Sequence, residues 1–565
     1  MNVIGINCFL HDSAAALVKN GKIIAAAEEE RFNRLKHTDK FPILAIKYCL
    51  KQAGLDLSEI DHLAFYMKPL SKIYHLGIKN YFKHPFDSFA FLKGEIYNSS
   101  RMLSLRLYLR DFLGMRPENI KKNFIIHVDH HLAHISSAFL ASGYDESAVL
   151  SIDGCGENST CVLAHASRNG IRVIRRINFP HSIGFVYAAL TAFLGFQPLS
   201  DEYKVMGLAS YGKPRFIKQF KEIIRISETG NFKIDTSYFN YEKELAWPWV
   251  SKKIYQIFGS PRREDEQITD KHKDIACSLQ KCVEETGLAL AKFLRQETKS
   301  DNLCLAGGVA LNCAMNGKIF ESGLYKNIFV QPAACDSGAS LGAALWASNY
   351  YLSVPSQFDM QNAYLGPEFS EGQIEEIITT SKLRFKRYSN ISEIAAKHLS
   401  EGKIIGWFQG RMEFGPRALG SRSILADPRK PEMKEIVNER IKHRELFRPF
   451  APSILEEYAG DYFIACKRSP FMTFIFKVKE DKVNEIPAVT HIDGTARVQT
   501  VSKNDNPRFW KLINEFNKLT GVPVLLNTSF NIRGEPIVCS PEDAIKCFFS
   551  TGIDLLVLGD YILEK

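Results

Sequence analysis

The chain has 565 residues, of which 45% are hydrophobic and 12% aromatic, with a formal net charge of +9. That length exceeds a single hydrophobic core and calls for two to four domains, while the apolar content excludes a chain disordered throughout. Lys and Arg are scattered rather than massed, which argues against a nucleic-acid surface and leaves small anionic ligands to explain local basic clusters. Twelve cysteines occur without a CxxC pair, and Cys49, Cys304 and Cys547 sit in apolar contexts as reduced core residues. Strand-like residues begin at Val3 and no apolar run reaches the length of a membrane span. The expectation is a cytoplasmic monomer or homodimer without a leader peptide, a membrane contact or a nucleic-acid partner.

In chain order, residues 2–7 read as a strand, His11-Asp12-Ser13 as a polar turn and residues 14–18 as a second strand. Asn20-Gly21 is a tight-turn signal and residues 23–27 form a third strand. His130-His131-Leu132-Ala133-His134 heads an apolar run, so in a helix His130 and His134 share a face and can share a metal ion. The competing reading is a pair of capping or core histidines, because spacing alone does not name a site. Residues 147–178 repeat the opening pattern: a strand at 148–152, the turn Asp153 to Asn158, a strand at 160–164, a turn at Asn169-Gly170 and a strand at 173–177. Two such meanders predict an α/β fold of two similar halves whose first loops face each other across a cleft. Gly154 and Gly156 would admit phosphate close to backbone amides, and Asp153 and Asp336 offer carboxylates in turn contexts. Further on, an amphipathic helix over 275–294 precedes a buried strand at 303–306 and the pair Gly307-Gly308, a strand–glycine–helix order suited to a nucleotide. Two segments, 67–115 and 216–271, look inserted and are rich in aromatic residues, including Tyr238, Phe239, Tyr241, Trp247 and Trp249. Such faces suit sugar or polycyclic ligands, or the packing of an added layer.

Pro355, Gly366 and Pro367 interrupt periodicity and predict a linker. Beyond it, residues 402–407 read as a buried strand, followed by separate segments that carry arginine beside Gly, Pro and Asn. These are residues 410–422, 442–450, 495–497 and 527–534. Turn-borne guanidinium forks suit phosphate, although pairing with Glu413, Glu445 and Glu535 would account for some of them.

The order of His11-Asp12-Ser13, His130 to His134, Asp153 to Glu157, Gly307 to Asn312 and Cys335 to Gly338 resembles the metal-dependent subunit of tRNA threonylcarbamoyladenosine synthase. Across residues 1–565, Tyr203-Lys204-Val205-Met206-Gly207-Leu208-Ala209 included, the chain more closely resembles the NodU/CmcH family of O-carbamoyltransferases. The resemblance implies an actin-like (ASKHA, duplicated ribonuclease-H-like) domain at 1–355, a linker at 356–385 and an α/β YrdC-like domain at 386–565. It implies His130, His134, Asp153 and Asp336 as ligands of iron(II) or another divalent metal. Nucleotide or carbamoyladenylate would be held in the N-terminal domain by Lys36, Gly154, Gly156, Lys204, Gly307, Gly308, Asn312 and Gly338. Carbamoyl phosphate and ATP, with Mg2+, would be bound in the C-terminal domain by Arg417, Lys442, Arg448, Arg497, Asn527, Ser529 and Arg533. The implied reaction forms carbamoyladenylate there and passes the carbamoyl group to an acceptor hydroxyl (a natural product, sugar or lipo-oligosaccharide) at the metal site. His11 is the candidate catalytic base, its other role being to orient its loop through Asp12. A tRNA-modifying enzyme and an actin/Hsp70-like nucleotide switch are the alternatives, and the second would not need the arginine-rich domain.

Overall fold

The computed structural model describes residues 1–115, 123–243 and 247–565. The chain folds into two units, Met1–Glu29 with His37–Met360, and Glu30–Lys36 with Gln361–Lys565. The boundary between Met360 and Gln361 falls inside the expected linker at 356–385. From Gln361 onward it is built into the second unit, where the Gly366 amide donates to Met412 O and the Met412 amide to Pro367 O, both at 2.9 Å. Proline and glycine broke the periodicity there without freeing the backbone, whose polar groups still find partners.

The short segment Glu30–Lys36 belongs to the later unit as well. Arg31 donates to Gly415 O (2.9 Å), and Arg34 donates to Ile537 O (2.7 Å) and Pro536 O (2.8 Å). Phe32 packs on the buried cluster Met412, Ile537 and Cys539. Lys36, expected in the N-terminal nucleotide site, thus belongs to the second unit. Side chains from distant parts of the sequence decide this membership.

In the first unit, β1 (Asn2–Asn7), β2 (Ala14–Lys19) and β3 (Lys22–Glu28) form an antiparallel meander. Asn20 and Gly21 take φ of 51° and 75°, the left-handed pair that a two-residue hairpin requires. β4 (His62–Phe65) and β5 (Ile125–His127) add in parallel, giving the order β3-β2-β1-β4-β5. The second half repeats this with β6 (Glu146–Ile152), β7 (Ser159–Ser167) and β8 (Gly170–Asn178). A small hairpin, β9 (Ile224–Ser227) and β10 (Asn231–Ile234), precedes the parallel pair β11 (Asn302–Ala306) and β12 (Asn327–Val330). The second sheet runs β8-β7-β6-β11-β12, the same order and the same strand senses as the first. This is the duplicated ribonuclease-H-like, actin-like architecture. One detail differs: Ser167 pairs with Gly170, so the second hairpin turns at Arg168 and Asn169, one residue before the expected Asn169-Gly170.

Equivalent helices follow the two parallel arms, His130–Phe139 after β5 and Asp336–Trp346 after β12. They cross tightly, for a Cβ on Gly342 would lie 1.8 Å from Ala133 O. The long helix Asp270–Thr298 contains the expected amphipathic stretch, with Ile275, Leu279, Val283 and Leu290 buried. Among the described residues, no helix is long and apolar enough to cross a membrane.

The second unit is built on β13 (Phe385–Arg387), β14 (Ile405–Phe408), β15 (Arg422–Ala426) and β16 (Ala451–Leu455). Later strands are β17 (Ile475–Lys477), β18 (Thr495–Arg497), β19 (Gln499–Val501), β20 (Val524–Ser529), β21 (Leu555–Leu558) and β22 (Tyr561–Glu564). All but β17 and β18 join one mixed sheet, in the order β13-β22-β21-β14-β15-β20-β16-β19. The helices Ile391–Ser400 and Pro507–Thr520 pack against each other, and the second also meets β16.

Candidate metal centre and arginine-rich site

The crossing of the two equivalent helices explains why residues so distant in sequence meet. Asp129 caps the first helix by accepting the Leu132 amide, which sets His130 and His134 on successive turns of its buried face. Asp336 is the first residue of the second helix, and Asp153 follows the end of β6. One donor atom from each of His130, His134, Asp153 and Asp336 lies within 4.8 Å of all the others. His130 Nε2 is 3.0 Å from Asp153 Oδ2 and 3.1 Å from His134 Nε2, and His134 Nε2 is 3.6 Å from Asp336 Oδ1. Metal–ligand bonds of about 2.0–2.2 Å place neighbouring donors about 3.0–3.5 Å apart, so the spacing fits one ion. Two imidazoles and two carboxylates also match the charge of a divalent transition metal. His131 is not part of this set; it points into the core, bonded to Ser151 Oγ and Ser159 O at 2.8 Å each.

Neighbours hold the donors in place. Asp153 Oδ1 accepts the Gly308 amide at 2.8 Å, and Glu157 accepts the amides of His130 and Lys68. Burial alone would depress the His130 imidazole, but Asp336 and Asp153 outweigh it and raise its pKa to about 9. On the other side, His11 Nε2 stands 3.8 Å from Asp336 Oδ2. Its Nδ1 meets Asp12, whose second oxygen meets His37 at 2.6 Å. Asn7 pins this loop by donating to the carbonyls of His11 and Asp12. Burial opposes charge on His11, yet Asp336, Asp12 and Asp153 raise its pKa to about 10. His37 and Glu157 are the parts of this environment that sequence reading missed; neither lies at a telling spacing from its partners.

The glycines expected to receive phosphate have other occupations. The Gly156 amide donates to Ser159 O (2.9 Å), and a Cβ there would meet His130 Cβ and Cδ2 at 2.9 Å. Gly154 faces the Phe185 ring, and a Cβ on Gly307 (φ 85°) would lie 2.2 Å from Ile152 O. Gly338 packs on Ala333 O, where a Cβ would come within 1.9 Å. Asn312 caps the helix Cys313–Glu321 and exchanges hydrogen bonds with Gln280. Lys204 is buried with its Nζ 2.8 Å from Asp201. Gly156→Ala should therefore displace His130. We expect metal affinity to fall about tenfold or more, measured by metal analysis of the dialysed protein.

In the second unit, residues 410–421 between β14 and β15 form a loop organised by Glu413. Its buried Oε1 accepts the backbone amides of Leu419 and Ser421 at 2.7 Å each and that of Arg422 at 3.2 Å. Two arginines of this stretch are structural. Arg422 is fully buried over the Phe408 ring (3.6 Å) and donates to the carbonyls of Gln409, Gly410, Ser421 and Pro367. Arg411 donates to Leu365 O and Gly366 O. Arg417 lies in the same loop, where Asn527 donates to Ala418 O and Gln499 to Leu419 O. Lys442 is buried and donates to Ser529 O, Asn531 O (3.0 Å) and Asn531 Oδ1 (2.9 Å). Burial, with Arg444 and Arg448 nearby, drives its pKa well below that of a free lysine. Lys442 thus meets Ser529 at the end of β20, and Asn527, two residues earlier, donates to Ala418 O and Ser453 Oγ. Arg448 (3.6 Å from Glu445) lies six residues beyond Lys442 and the exposed Arg533 four beyond Ser529, while Arg497 is on β18.

His491 shares the neighbourhood of Arg497. Burial, then Arg497 and Lys434, outweigh Asp493 and lower its pKa to about 4. The unfolded chain takes up this proton near pH 6.5 and the folded one resists it to about 4, so stability should rise with pH across that window. The effect is worth up to about 3 kcal/mol. Chemical denaturation between pH 4 and 7 should show this slope, and His491→Gln should flatten it.

Residues 2–345 match the family model described as Carbamoyltransferase N-terminus, and residues 396–565 match Carbamoyltransferase C-terminus. An uncharacterized protein of Synechocystis is 42% identical over 602 residues, covering 100% of this chain and 97% of that protein. Nodulation protein NolNO of Sinorhizobium fredii is 40% identical over 572 residues, covering 99% of this chain and 80% of the relative. Nodulation protein NolO of Bradyrhizobium diazoefficiens is 41% identical over 447 residues, covering 78% of this chain and 79% of the relative.

Proposed function

Because this chain belongs to the carbamoyltransferase family and is a carbamoyltransferase enzyme, we propose that it is an ATP-dependent O-carbamoyltransferase using two sites, one in each unit. In the second unit, Arg417, Lys442, Arg448, Arg497, Asn527, Ser529 and Arg533 bind carbamoyl phosphate and ATP with Mg2+. Water releases phosphate from carbamoyl phosphate, the resulting carbamate attacks the α-phosphorus of ATP, and pyrophosphate leaves. The guanidinium forks stabilise the charge that gathers on the transferring phosphoryl group. The product is carbamoyladenylate.

In the first unit, His130, His134, Asp153 and Asp336 would hold a divalent metal, which we assign as iron(II). When bound, that ion supplies Lewis acidity toward the adenylate phosphate. Gly308 and Glu157 keep the donor set oriented, and Lys204 with the glycine turns borders the adenylate. An acceptor hydroxyl attacks the carbamoyl carbon, AMP departs, and His11 takes the hydroxyl proton. His11 does this from its neutral form, which a cation held by Asp336 and Asp153 would favour by offsetting the carboxylate charge that otherwise keeps the imidazole protonated. The observation that carries the reading is the convergence of four metal-type donors beside His11 in a chain of this family. The test is incubation with ATP, carbamoyl phosphate and iron(II). Pyrophosphate and AMP should form only when both substrates are present; ATP conversion to ADP would overturn the adenylate route.

A further inference from the structure

Nearly half of the large apolar side chains that the described residues expose lie between Leu70 and Phe112, less than a tenth of the chain. Single exposed apolar residues are normal on a protein surface, but a concentration of them marks a contact. The helical segments Pro69–Lys72, Ile73–Ile78 and Lys79–Lys83 run on without a break, the middle one as a π-turn. Leu70, Tyr74, Ile78 and Phe82 recur every fourth residue along them, and all four face solvent. The loop that follows presents Phe86, 97% exposed. On the helix Phe89–Leu103, Phe89, Lys93, Ile96 and Tyr97 share a second exposed face. The two helical runs meet closely, since a Cβ on Gly77 would lie 3.0 Å from Leu92 Cδ1. Tyr81 links their exposed faces, its ring centroid 6.0 Å from that of Phe82 and 6.2 Å from that of Phe89.

Core packing does not account for these side chains. The insertion is already anchored by an inward face, where Leu76, Met102, Leu105 and Leu109 are buried. The outward rings are surplus to that anchor, and their company is cationic. Residues 68–112 carry eight Lys or Arg against three Asp or Glu, and so supply five of the chain's nine net positive charges. Lys68, Lys79, Lys83, Lys93, Arg106 and Arg110 are exposed. The two exposed acids are already answered, Asp87 by Lys243 at 3.7 Å and Asp111 by Arg110 at 2.6 Å. Cations and rings interleave, with Lys93 Nζ 4.6 Å from the Phe89 ring centroid.

Aromatic and aliphatic side chains set among lysines suit the headgroup region of an anionic bilayer. The rings enter the acyl boundary while the ammonium groups reach out to lipid phosphates. Self-association is the poorer fit, because a two-fold contact would set this cationic face against itself and lysine is depleted from protein interfaces. We propose that this face, centred on Phe82, Phe86 and Phe89, docks the protein on the surface of an anionic phospholipid bilayer. The contact is peripheral, with the helices lying along the surface. Its apolar residues recur at helical spacing and form no continuous run, which is why hydropathy along the chain shows no membrane contact.

Co-sedimentation of the full-length protein with vesicles, without nucleotide, tests this. Vesicles of equal parts phosphatidylcholine and phosphatidylglycerol should bind about tenfold or more tighter than phosphatidylcholine alone, and added salt should weaken that binding. Phe82→Ser with Phe86→Ser, and separately Lys79→Glu with Lys93→Glu, should each lower the affinity for anionic vesicles by about tenfold or more. All four side chains are exposed, so matching thermal melts would tie the loss to the surface and not to folding. Absence of binding to anionic vesicles, equal binding to both vesicle types, or binding that either double variant leaves intact would overturn the proposal. Sedimentation velocity without lipid covers the other occupant. A dimer that Phe82→Ser with Phe86→Ser dissociates would assign the face to a second copy of the chain and overturn the lipid assignment.

Discussion

Asp336→Asn should abolish carbamoyl transfer while pyrophosphate release from ATP and carbamoyl phosphate continues. The four metal-type donors lie in the first unit and the arginine-bearing loops in the second, so one substitution reaches one half of the reaction. Asparagine keeps the shape of the side chain and removes the charge that faces His134 Nε2 at 3.6 Å and, through the other oxygen, His11 Nε2 at 3.8 Å. An incomplete donor shell binds metal weakly, so bound metal and transfer should fall together, each by about a hundredfold or more. His130→Ala should do the same but also opens a cavity beneath Gly156, costing about 2 kcal/mol of stability, so the aspartate variant is the cleaner test. Metal analysis, product mass and pyrophosphate release measured on one preparation separate these effects. Loss of pyrophosphate release in step with transfer would sink the two-site reading.

Much of the fold was legible because its signals are local. Asn20-Gly21, the short apolar strands and the repeated meander announced two similar halves, and the halves then explain the site. His130 and His134 are one helical turn apart in sequence, so their shared face was readable in advance. Asp153 and Asp336 could be nominated only as carboxylates in turns, since the helix crossing that unites them rests on Gly342 fitting Ala133 O.

What the sequence hid is long-range or a matter of direction. Nothing in Glu30–Lys36 says that Arg31 and Arg34 will bond carbonyls of residues 415, 536 and 537. His37 reaches Asp12 across 25 positions. A glycine likewise does not reveal where its amide points. The Gly308 amide serves Asp153, and that of Gly156 serves Ser159 O, so the loops read as phosphate cradles also do the work of orienting metal-type donors. Arg417 and Arg422 lie five residues apart in one motif, yet Arg422 is spent on four backbone carbonyls.

Arg497→Lys should remove adenylate formation while leaving the acceptor step intact. Lysine keeps the charge but loses the planar fork that donates two parallel hydrogen bonds to a phosphate. Arg497 closes the short strand β18, with its Cα register opposite Ile475, and its charge helps to keep His491 neutral. A lysine at that position should therefore hold the local field and the fold. The fork's loss should appear in the chemistry, as a fall of about a hundredfold in kcat/KM for pyrophosphate release. Arg448→Lys should act in the same direction but less strongly, because Glu445, 3.6 Å away, already shares its guanidinium. Supplying carbamoyladenylate directly should restore acceptor carbamoylation in both variants, since the metal-type donors are untouched. Full pyrophosphate release by Arg497→Lys would make this arginine a structural residue like Arg422 and move the phosphate site elsewhere in the second unit. Failure of added adenylate to rescue transfer would mean that the substitution had reached the first unit as well, against the separation of the two half-reactions.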